Sequence, residues 1–233
     1  MQNSAAVVIV AAGNSRRMQG RDKLWAPLAG RITLACTVNV FEASPIIDMI
    51  ILVLSAEKLT AAAALCKQEG WRKIVAIVPG GMRRQDSVCA GLDSLSKIAP
   101  NTQWVMIHDG ARPLVTPAML ETGLQAAQQH LAAIAAVPVK DTIKLVQDGK
   151  VRTTLDRSEL WAVQTPQVFS FPLIYQAHHS SAAQADVTDD AALLERSGQP
   201  VAIFHGAYTN IKITTQEDLL LAEAFLDPSL RSG

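Results

Sequence analysis

Apolar residues along this chain fall in short unbroken runs, separated by longer stretches in which they recur every three or four positions. Residues 5–12 form the first run, rich in Val and Ile and closed by Gly13, which predicts a strand buried on both faces. Residues 46–54, 74–78, 104–107 and 132–137 repeat the pattern. Between these runs, Val88, Leu92 and Leu95 within residues 84–95 stand at helical spacing, as do Met119, Leu120, Leu124 and Ala127. The alternation predicts an α/β fold, a parallel sheet with crossover helices. After Val139 the period changes to two. Residues 142–146 and 151–155 alternate on either side of Asp148-Gly149, which predicts a β-hairpin. A hairpin of this length with no helix to cover it is marginal alone, so the pattern predicts a homodimer with an exchanged arm.

Beyond Trp161 the pattern predicts a strand over 163–169, a helix from Phe171, a helix over 188–196 and a strand over 201–204. A last helix follows Thr214-Thr215, where Thr215 and Asp218 have the spacing of a capping box. No internal repeat or low-complexity linker interrupts the chain. The economical division is one domain over residues 1–233 with 141–157 as an inserted arm.

Composition narrows the partners. The chain has 233 residues, 49% hydrophobic and 18% charged, with 21 basic side chains against 21 acidic ones. Disorder is excluded as the main state, and a chain this long buries roughly 70% of its unfolded surface without a staple. A net charge of zero removes the general attraction that nonspecific nucleic-acid or acidic-membrane binding needs, so any anion site is local. Cys36, Cys66 and Cys89 show no pairing or metal spacing, each falls in a helical stretch, and they read as buried reduced thiols. No apolar run approaches the roughly 20 residues of a membrane span, and Gln2, Asn3 and Ser4 lead straight into a strand rather than a signal peptide. The expected location is cytoplasmic.

Candidate chemistry gathers where apolar runs end. Ligands of open α/β sheets sit at the carboxyl ends of strands, and the first such end carries Ala11-Ala12-Gly13-Asn14-Ser15-Arg16-Arg17-Met18, then Asp22-Lys23. Small residues let backbone N–H groups approach an anion, and Arg17 and Lys23 supply charge a polyphosphate needs. An ordinary turn with solvated basic residues satisfies the same letters. The loop has one glycine and no Gly-Lys-Ser/Thr ending, so neither a dinucleotide fingerprint nor a P-loop is present, which disfavours an NAD site or an ATPase. Gly80-Gly81 through Ser87 closes the third run and opens a helix. Its glycines and the Ser87 hydroxyl can face a base edge or simply start the helix. Asp109 and Arg112, after the fourth run, suit a cation or sugar hydroxyls and a phosphate respectively, or an ion pair with each other. His130 and His205 are isolated and His178-His179 point different ways on a helix, so the histidines show no metal-ligand spacing. The four tryptophans are scattered and read as packing.

Taken together, Ala11-Ala12-Gly13 with Arg16-Arg17-Met18, Lys23, Gly80-Gly81 with Arg84 and Ser87, His108-Asp109 with Arg112-Pro113, and Asp141-Thr142 with Lys144 resemble the bacterial 2-C-methyl-D-erythritol 4-phosphate cytidylyltransferases. The match continues through Asp156-Arg157, Leu160-Trp161, Gln164-Thr165-Pro166-Gln167, Thr188-Asp189 and Asn210-Ile211-Lys212. The resemblance implies a Rossmann-like nucleotidyltransferase fold: a mostly parallel twisted sheet with helices on both faces and a protruding β-hairpin arm. It implies transfer of a cytidylyl group from CTP to a sugar-alcohol phosphate, with release of pyrophosphate, in non-mevalonate isoprenoid biosynthesis, by a homodimer whose arm crosses to the partner.

By position, the resemblance implies that Arg17 and Lys23 stabilise charge at the triphosphate, and that Arg157 and Lys212 position the acceptor phosphate. Ala11, Ala12, Gly13, Gly81 and Ser87 would contact the cytidine, with Arg84 and Asp109 also on the nucleotide side. Arg112, Thr142, Thr165 and Thr188 would face the acceptor. Mg²⁺ would be held mainly by the CTP phosphates, with Asp109 placed to help orient the metal or substrate hydroxyls. A site built of distributed charge explains the lack of a catalytic His, because a phosphate monoester near neutrality is already an anion. Ser15, Asp22, Leu24-Trp25 and Met82 depart from the family pattern. Two readings compete: the same chemistry on another polyol phosphate such as ribitol 5-phosphate, and a noncatalytic nucleotide-binding module.

Overall fold

The computed structural model describes residues 4–13 and 22–227. Its first half runs β1 (Ala5–Ala11), β2 (Pro27–Leu28), β3 (Arg31–Ile32), α1 (Thr33–Ala43), β4 (Ile47–Leu54), α2 (Leu59–Glu69), β5 (Ile74–Pro79), α3 (Arg84–Ile98) and β6 (Trp104–Asp109). The second runs α4 (Pro117–His130), β7 (Ala132–Pro138), β8 (Lys144–Gln147), β9 (Lys150–Thr154), β10 (Trp161–Ser170), α5 (Phe171–His178), α6 (Ala191–Arg196), β11 (Ala202–His205) and α7 (Gln216–Leu226). Seven strands form one sheet in the order β11-β7-β10-β6-β1-β4-β5. All run parallel except β10, which is antiparallel to both β6 and β7. The carboxyl ends of six strands therefore share one rim.

Unbroken apolar runs form these strands because both sheet faces are covered. On one face Val7 and Ile9 of β1 pack with Leu34, Val38 and Phe41 of α1 and with Leu120 and Leu124 of α4. On the other, Ala6 and Val8 pack with Val88, Leu92 and Leu95 of α3, Ile174 of α5 and Leu194 of α6. This is the period-two division of a strand serving two cores. Gly91 sets the distance of α3, since a Cβ there would collide with the Val8 side chain.

Three expectations need correction. The helix expected over 188–196 begins only at Ala191. Asp189 uses its side chain to accept the Ala192 N–H (3.1 Å) and the Asp190 N–H goes to Gln167 Oε1 (3.2 Å), so the residues before Ala191 are committed to capping and cross-links. The strand expected over 163–169 extends from Trp161 to Ser170, with a register shift against β7 between Val163 and Gln167 that accommodates Pro166. The three thiols are free but only half-buried, because each lies at the margin of its helix's packed face.

β8 and β9 form a separate two-stranded ladder in which every residue is exposed. Asp148 and Gly149 have φ of 50° and 74°, the two left-handed residues a type I′ turn requires. Leu145, Val146 and Val151 are exposed on this arm.

Candidate active site

Two clefts meet at the carboxyl rim of the sheet. The first, about 440 Å³, is lined by the end of β1 (Ala11, Ala12, Gly13), by Lys23, by Gly80, Gly81 and Met82 after β5, and by Ser87 of α3. The second, about 420 Å³, is lined by Arg112, Gln164, Thr165, Gln167, Thr188 and Asp189. Arg84, Asp109 and Lys212 line both.

Local sequence explains the first cleft. Gly80 is required where the β5 and β1 loops touch: a Cβ there would collide with Ala12 Cβ and with the Ser87 side chain. Ser87 Oγ accepts the Gly81 N–H (3.1 Å) and donates to the Arg83 carbonyl (3.2 Å), so its hydroxyl shapes the loop. Asp86 accepts the Arg83 backbone N–H at 3.0 Å and closes the start of α3. Met82 stands wholly exposed at the mouth. Asp22, the departure before Lys23, accepts the Leu24 N–H (3.1 Å) and lies 3.6 Å from Lys58 Nζ, which in turn sits over the Trp25 ring. The unusual Asp22 and Trp25 thus share one local partner.

Asp109 is the electrostatic centre. Its Oδ1 accepts from Arg84 Nε at 3.1 Å and its Oδ2 from Lys212 Nζ at 2.6 Å, with Arg112 Nε 4.0 Å away. Burial pushes its pKa up, but the charges of Arg84, Lys212 and Arg112 outweigh that and hold it well below the usual carboxylate range. Arg84 also donates to the fully buried Asp190 at 2.7 Å. Burial opposes its charge and the two carboxylates more than compensate, leaving its pKa raised. Asp190 in turn contacts His178 Nε2 at 3.2 Å. Arg112 donates Nη1 to the Asn210 carbonyl (2.7 Å), whereas its Nε–H has no hydrogen-bond acceptor among the described residues. Burial lowers the Arg112 pKa.

Thr165 does more than line the second cleft. Its hydroxyl donates to His108 Nδ1 (3.1 Å) and accepts the Asp109 backbone N–H (3.0 Å), so it positions Asp109. His108 Nε2–H donates to the Arg112 carbonyl (3.1 Å), which fixes the neutral tautomer. Burial pushes its pKa down to about 4.

The structure brings Ala11, Ala12, Gly13, Lys23, Gly81, Arg84, Ser87, Asp109, Arg112, Thr165, Thr188 and Lys212 to the rim. Arg17, with Ser15 and Arg16, lies outside the described residues. Arg157 and Thr142 are not brought there. Arg157 lines a third cleft of about 570 Å³ with Lys140, Trp161 and Tyr208, and donates to the Lys140 carbonyl at 2.8 Å. Thr142 is exposed on the arm. Sequence reasoning missed Asp190 and Gln167, which brace Arg84 and Asp189; Gln167 Nε2 donates to Asp189 at 2.7 Å. Polar letters at the core face of β10 and beside α6 were the available signal. It also missed a cluster outside the clefts, where Cys89, Asp93 and His179 come within 4.8 Å of one another.

As a metal cradle, the first cleft offers one carboxylate among its described lining residues, Asp109, and both its oxygens already accept from cations. An all-protein Mg²⁺ cage does not fit this donor set. A metal carried on a polyphosphate does.

The sequence profile of the IspD family, 2-C-methyl-D-erythritol 4-phosphate cytidylyltransferase, matches residues 5–228. A protein of that name from Dehalococcoides mccartyi is 49% identical over 227 residues, covering 97% of each chain. One from Bacillus licheniformis is 43% identical over 228 residues, again covering 97% of each. Among solved structures, 4-diphosphocytidyl-2C-methyl-D-erythritol synthase from Anaerococcus prevotii superposes with a TM-score of 0.83 at 31% identity over 96% of each chain. The Thermus thermophilus cytidylyltransferase does so at 0.76 and 29% identity, over 95% of this chain and 98% of that one. With its strand-end loops, its Asp109 charge centre and a family match spanning nearly its whole length, this chain belongs to the 2-C-methyl-D-erythritol 4-phosphate cytidylyltransferase family.

Proposed function

We propose that this chain is a CTP-dependent cytidylyltransferase that acts on 2-C-methyl-D-erythritol 4-phosphate, in the non-mevalonate route to isoprenoids. The observation that carries the reading is the sharing of Arg84, Asp109 and Lys212 by two adjoining clefts. Two anionic substrates in those clefts would meet at one charge centre. CTP occupies the first, its pyrimidine against the backbone of the Ala11–Gly13 and Gly80–Gly81 loops, where small residues permit close approach. The acceptor phosphate occupies the second, within reach of Lys212 and of Arg112, both of which line it.

A phosphate oxygen of the acceptor attacks the α-phosphorus of CTP. The new O–P bond forms as the bond to the bridging oxygen breaks, and pyrophosphate leaves with the electron pair. Lys23 and Arg17 stabilise charge at the α-phosphate, and Lys212, held by Asp109, lies ready on the acceptor side without reorganisation. Mg²⁺, if carried in on the triphosphate, would add to the neutralisation these residues provide there. Asp109 acts by holding Arg84 and Lys212.

Arg157 and Thr142 enter the reading through a second copy. The exposed apolar residues of β8–β9 and the placement of Arg157 away from the rim support an arm that reaches the second cleft of a partner in a homodimer. Three free thiols favour a cytoplasmic setting. Among the described residues, no helix is long and apolar enough to cross a membrane.

The test is pyrophosphate release by the purified protein with CTP and Mg²⁺, with and without 2-C-methyl-D-erythritol 4-phosphate, and in parallel with ribitol 5-phosphate. Release that depends on the first acceptor is expected. Preferential turnover of ribitol 5-phosphate moves the substrate, and CTP binding with silence toward every acceptor overturns the enzyme reading in favour of a binding module.

A further inference from the structure

On the outer side of α3, away from both clefts, Cys89 and Asp93 stand one helical turn apart and face His179, the residue that caps α5. His179 Nε2 lies 3.0 Å from Asp93 Oδ1 and 3.9 Å from Cys89 Sγ, and Cys89 Sγ lies 4.0 Å from Asp93 Oδ2. A tetrahedral zinc with a bond of about 2.3 Å to sulfur and about 2.0–2.1 Å to nitrogen and oxygen sets ligand-to-ligand edges of about 3.3–3.6 Å. The His179–Asp93 separation is slightly shorter than such an edge and the His179–Cys89 separation slightly longer, and one ligand atom from each of the three residues lies within 4.8 Å of the other two, so side-chain torsions alone can close the set on an ion.

The imidazole is already oriented for the task. Its Nδ1–H donates to the Tyr175 carbonyl at 2.8 Å, and its ring stacks on Tyr175 with centroids 4.3 Å apart. A backbone carbonyl on one ring nitrogen, with the other directed at thiol and carboxylate, is how proteins fix a metal-ligating histidine. Both supporting helices are packed into the core, α3 through Val88, Leu92 and Leu95 and α5 through Phe171 and Ile174. The ligands therefore rest on rigid elements rather than on loops.

We infer that Cys89, Asp93 and His179 form a zinc site that ties α3 to the end of α5, with the fourth position open to water. The histidines alone show no ligand spacing along the chain, but Cys89 and Asp93 are four residues apart and the fold brings His179 to them. Thiolate and imidazole select a borderline-soft ion over Mg²⁺ or Ca²⁺, so the site does not compete for the metal of the proposed reaction. On binding, the Cys89 thiol proton, with any proton held between Nε2 and Asp93, goes to solvent. The exposed edge of His179 provides the path by which the ion arrives. The inference stands independently of the acceptor reading.

The experiment is a titration of metal-stripped full-length protein with Co²⁺, then Zn²⁺, without CTP or Mg²⁺. Expected is a near-ultraviolet thiolate-to-cobalt absorption saturating at one ion per chain and displaced by zinc. Cys89→Ser should abolish that band, while a Cys36→Ser, Cys66→Ser double variant keeps it. His179→Gln and Asp93→Asn should weaken binding by more than the roughly 10–100-fold that loss of an outer-sphere partner costs. Zinc should raise the melting temperature of the wild type and leave that of Cys89→Ser unchanged. Absence of the band in the wild type, or its survival in Cys89→Ser, overturns the site.

Discussion

His108 is buried without charge beneath the rim, and acid should find it. Its two nitrogens are committed to the Arg112 carbonyl and the Thr165 hydroxyl, and burial holds its pKa at about 4 against 6.5 for an ordinary histidine. Between those values the unfolded chain binds a proton that the folded chain refuses. Stability from this group is therefore complete above pH 6.5 and falls as pH drops toward 4. At about 1.36 kcal/mol per pKa unit the full loss is about 3 kcal/mol, of which about 2 kcal/mol disappears between pH 7 and pH 5. The carboxylates Asp109 and Asp190, whose pKa values are depressed, act in a different window, since their contribution is lost only below the ordinary carboxylate range. The assay is urea unfolding at fixed protein concentration across this pH range, comparing wild type with His108→Gln. Gln keeps a donor for the Arg112 carbonyl and cannot titrate. The wild-type curve should fall more steeply with acid, closing the gap between the two proteins. Parallel curves would refute the argument, because they would mean that His108 takes up its proton in the folded state.

Three other expectations follow from particular contacts. Asp190→Ala should cost about 3–5 kcal/mol in urea unfolding, because Arg84 and His178 lose a fully buried partner, whereas Asp186→Ala, which breaks an exposed contact to Arg83, should cost at most about 1 kcal/mol. Gly80→Ala should cost about 1–3 kcal/mol by forcing the Ala12 and Ser87 loops apart, seen as a lower urea midpoint at unchanged slope and a raised KM for CTP. Lys23→Ala and Arg157→Ala should each be nearly inactive in pyrophosphate release, yet their mixture should regain about a quarter of wild-type activity, since half the dimers are mixed and one of their two sites is intact. No recovery despite subunit exchange would place each site within one chain.

The core strands were visible in the sequence because burial on both faces leaves unbroken apolar runs, and the rim loops because they begin where those runs stop: Gly13 after β1, Gly80 after β5, Asp109 closing β6. The reversed direction of β10 was not visible. An apolar strand looks the same whichever way it runs, and only pairing of Gln167 with Ile107 and Ile134 reveals its sense. Buried polar residues were equally silent. Asp190, His178 and Gln167 gain their roles from partners 12 to 106 positions away, such as the Arg84–Asp190 bond, and no periodicity records such a contact. Thr165 is expected on the acceptor side and lines the second cleft, but its bonds to His108 and the Asp109 N–H, which position Asp109, left no mark in the sequence.

The charge at the rim bears on why the proposed site should need a second chain. Arg84, Arg112 and Lys212 converge on Asp109, and Asp190 takes a further share of Arg84. Three cations stand there against two carboxylates, and Asp189 and Glu195 add further negative charge to the lining of the second cleft. Asp109 thus holds its cations in place before substrate arrives, which favours rate because nothing reorients during transfer. The same pairing spends charge that a triphosphate and a phosphate monoester would otherwise use. The positive charge left over falls well short of the anion those substrates bring together. In the proposed reaction the remainder would come from outside this set: from Mg²⁺ on the nucleotide, from Arg16 and Arg17, and from a cation such as Arg157 of a second copy. A fold that ties up its own acceptor-side cations in ion pairs, while placing Arg157 beyond their reach within one chain, has the charge balance expected if catalysis and dimer formation are the same requirement.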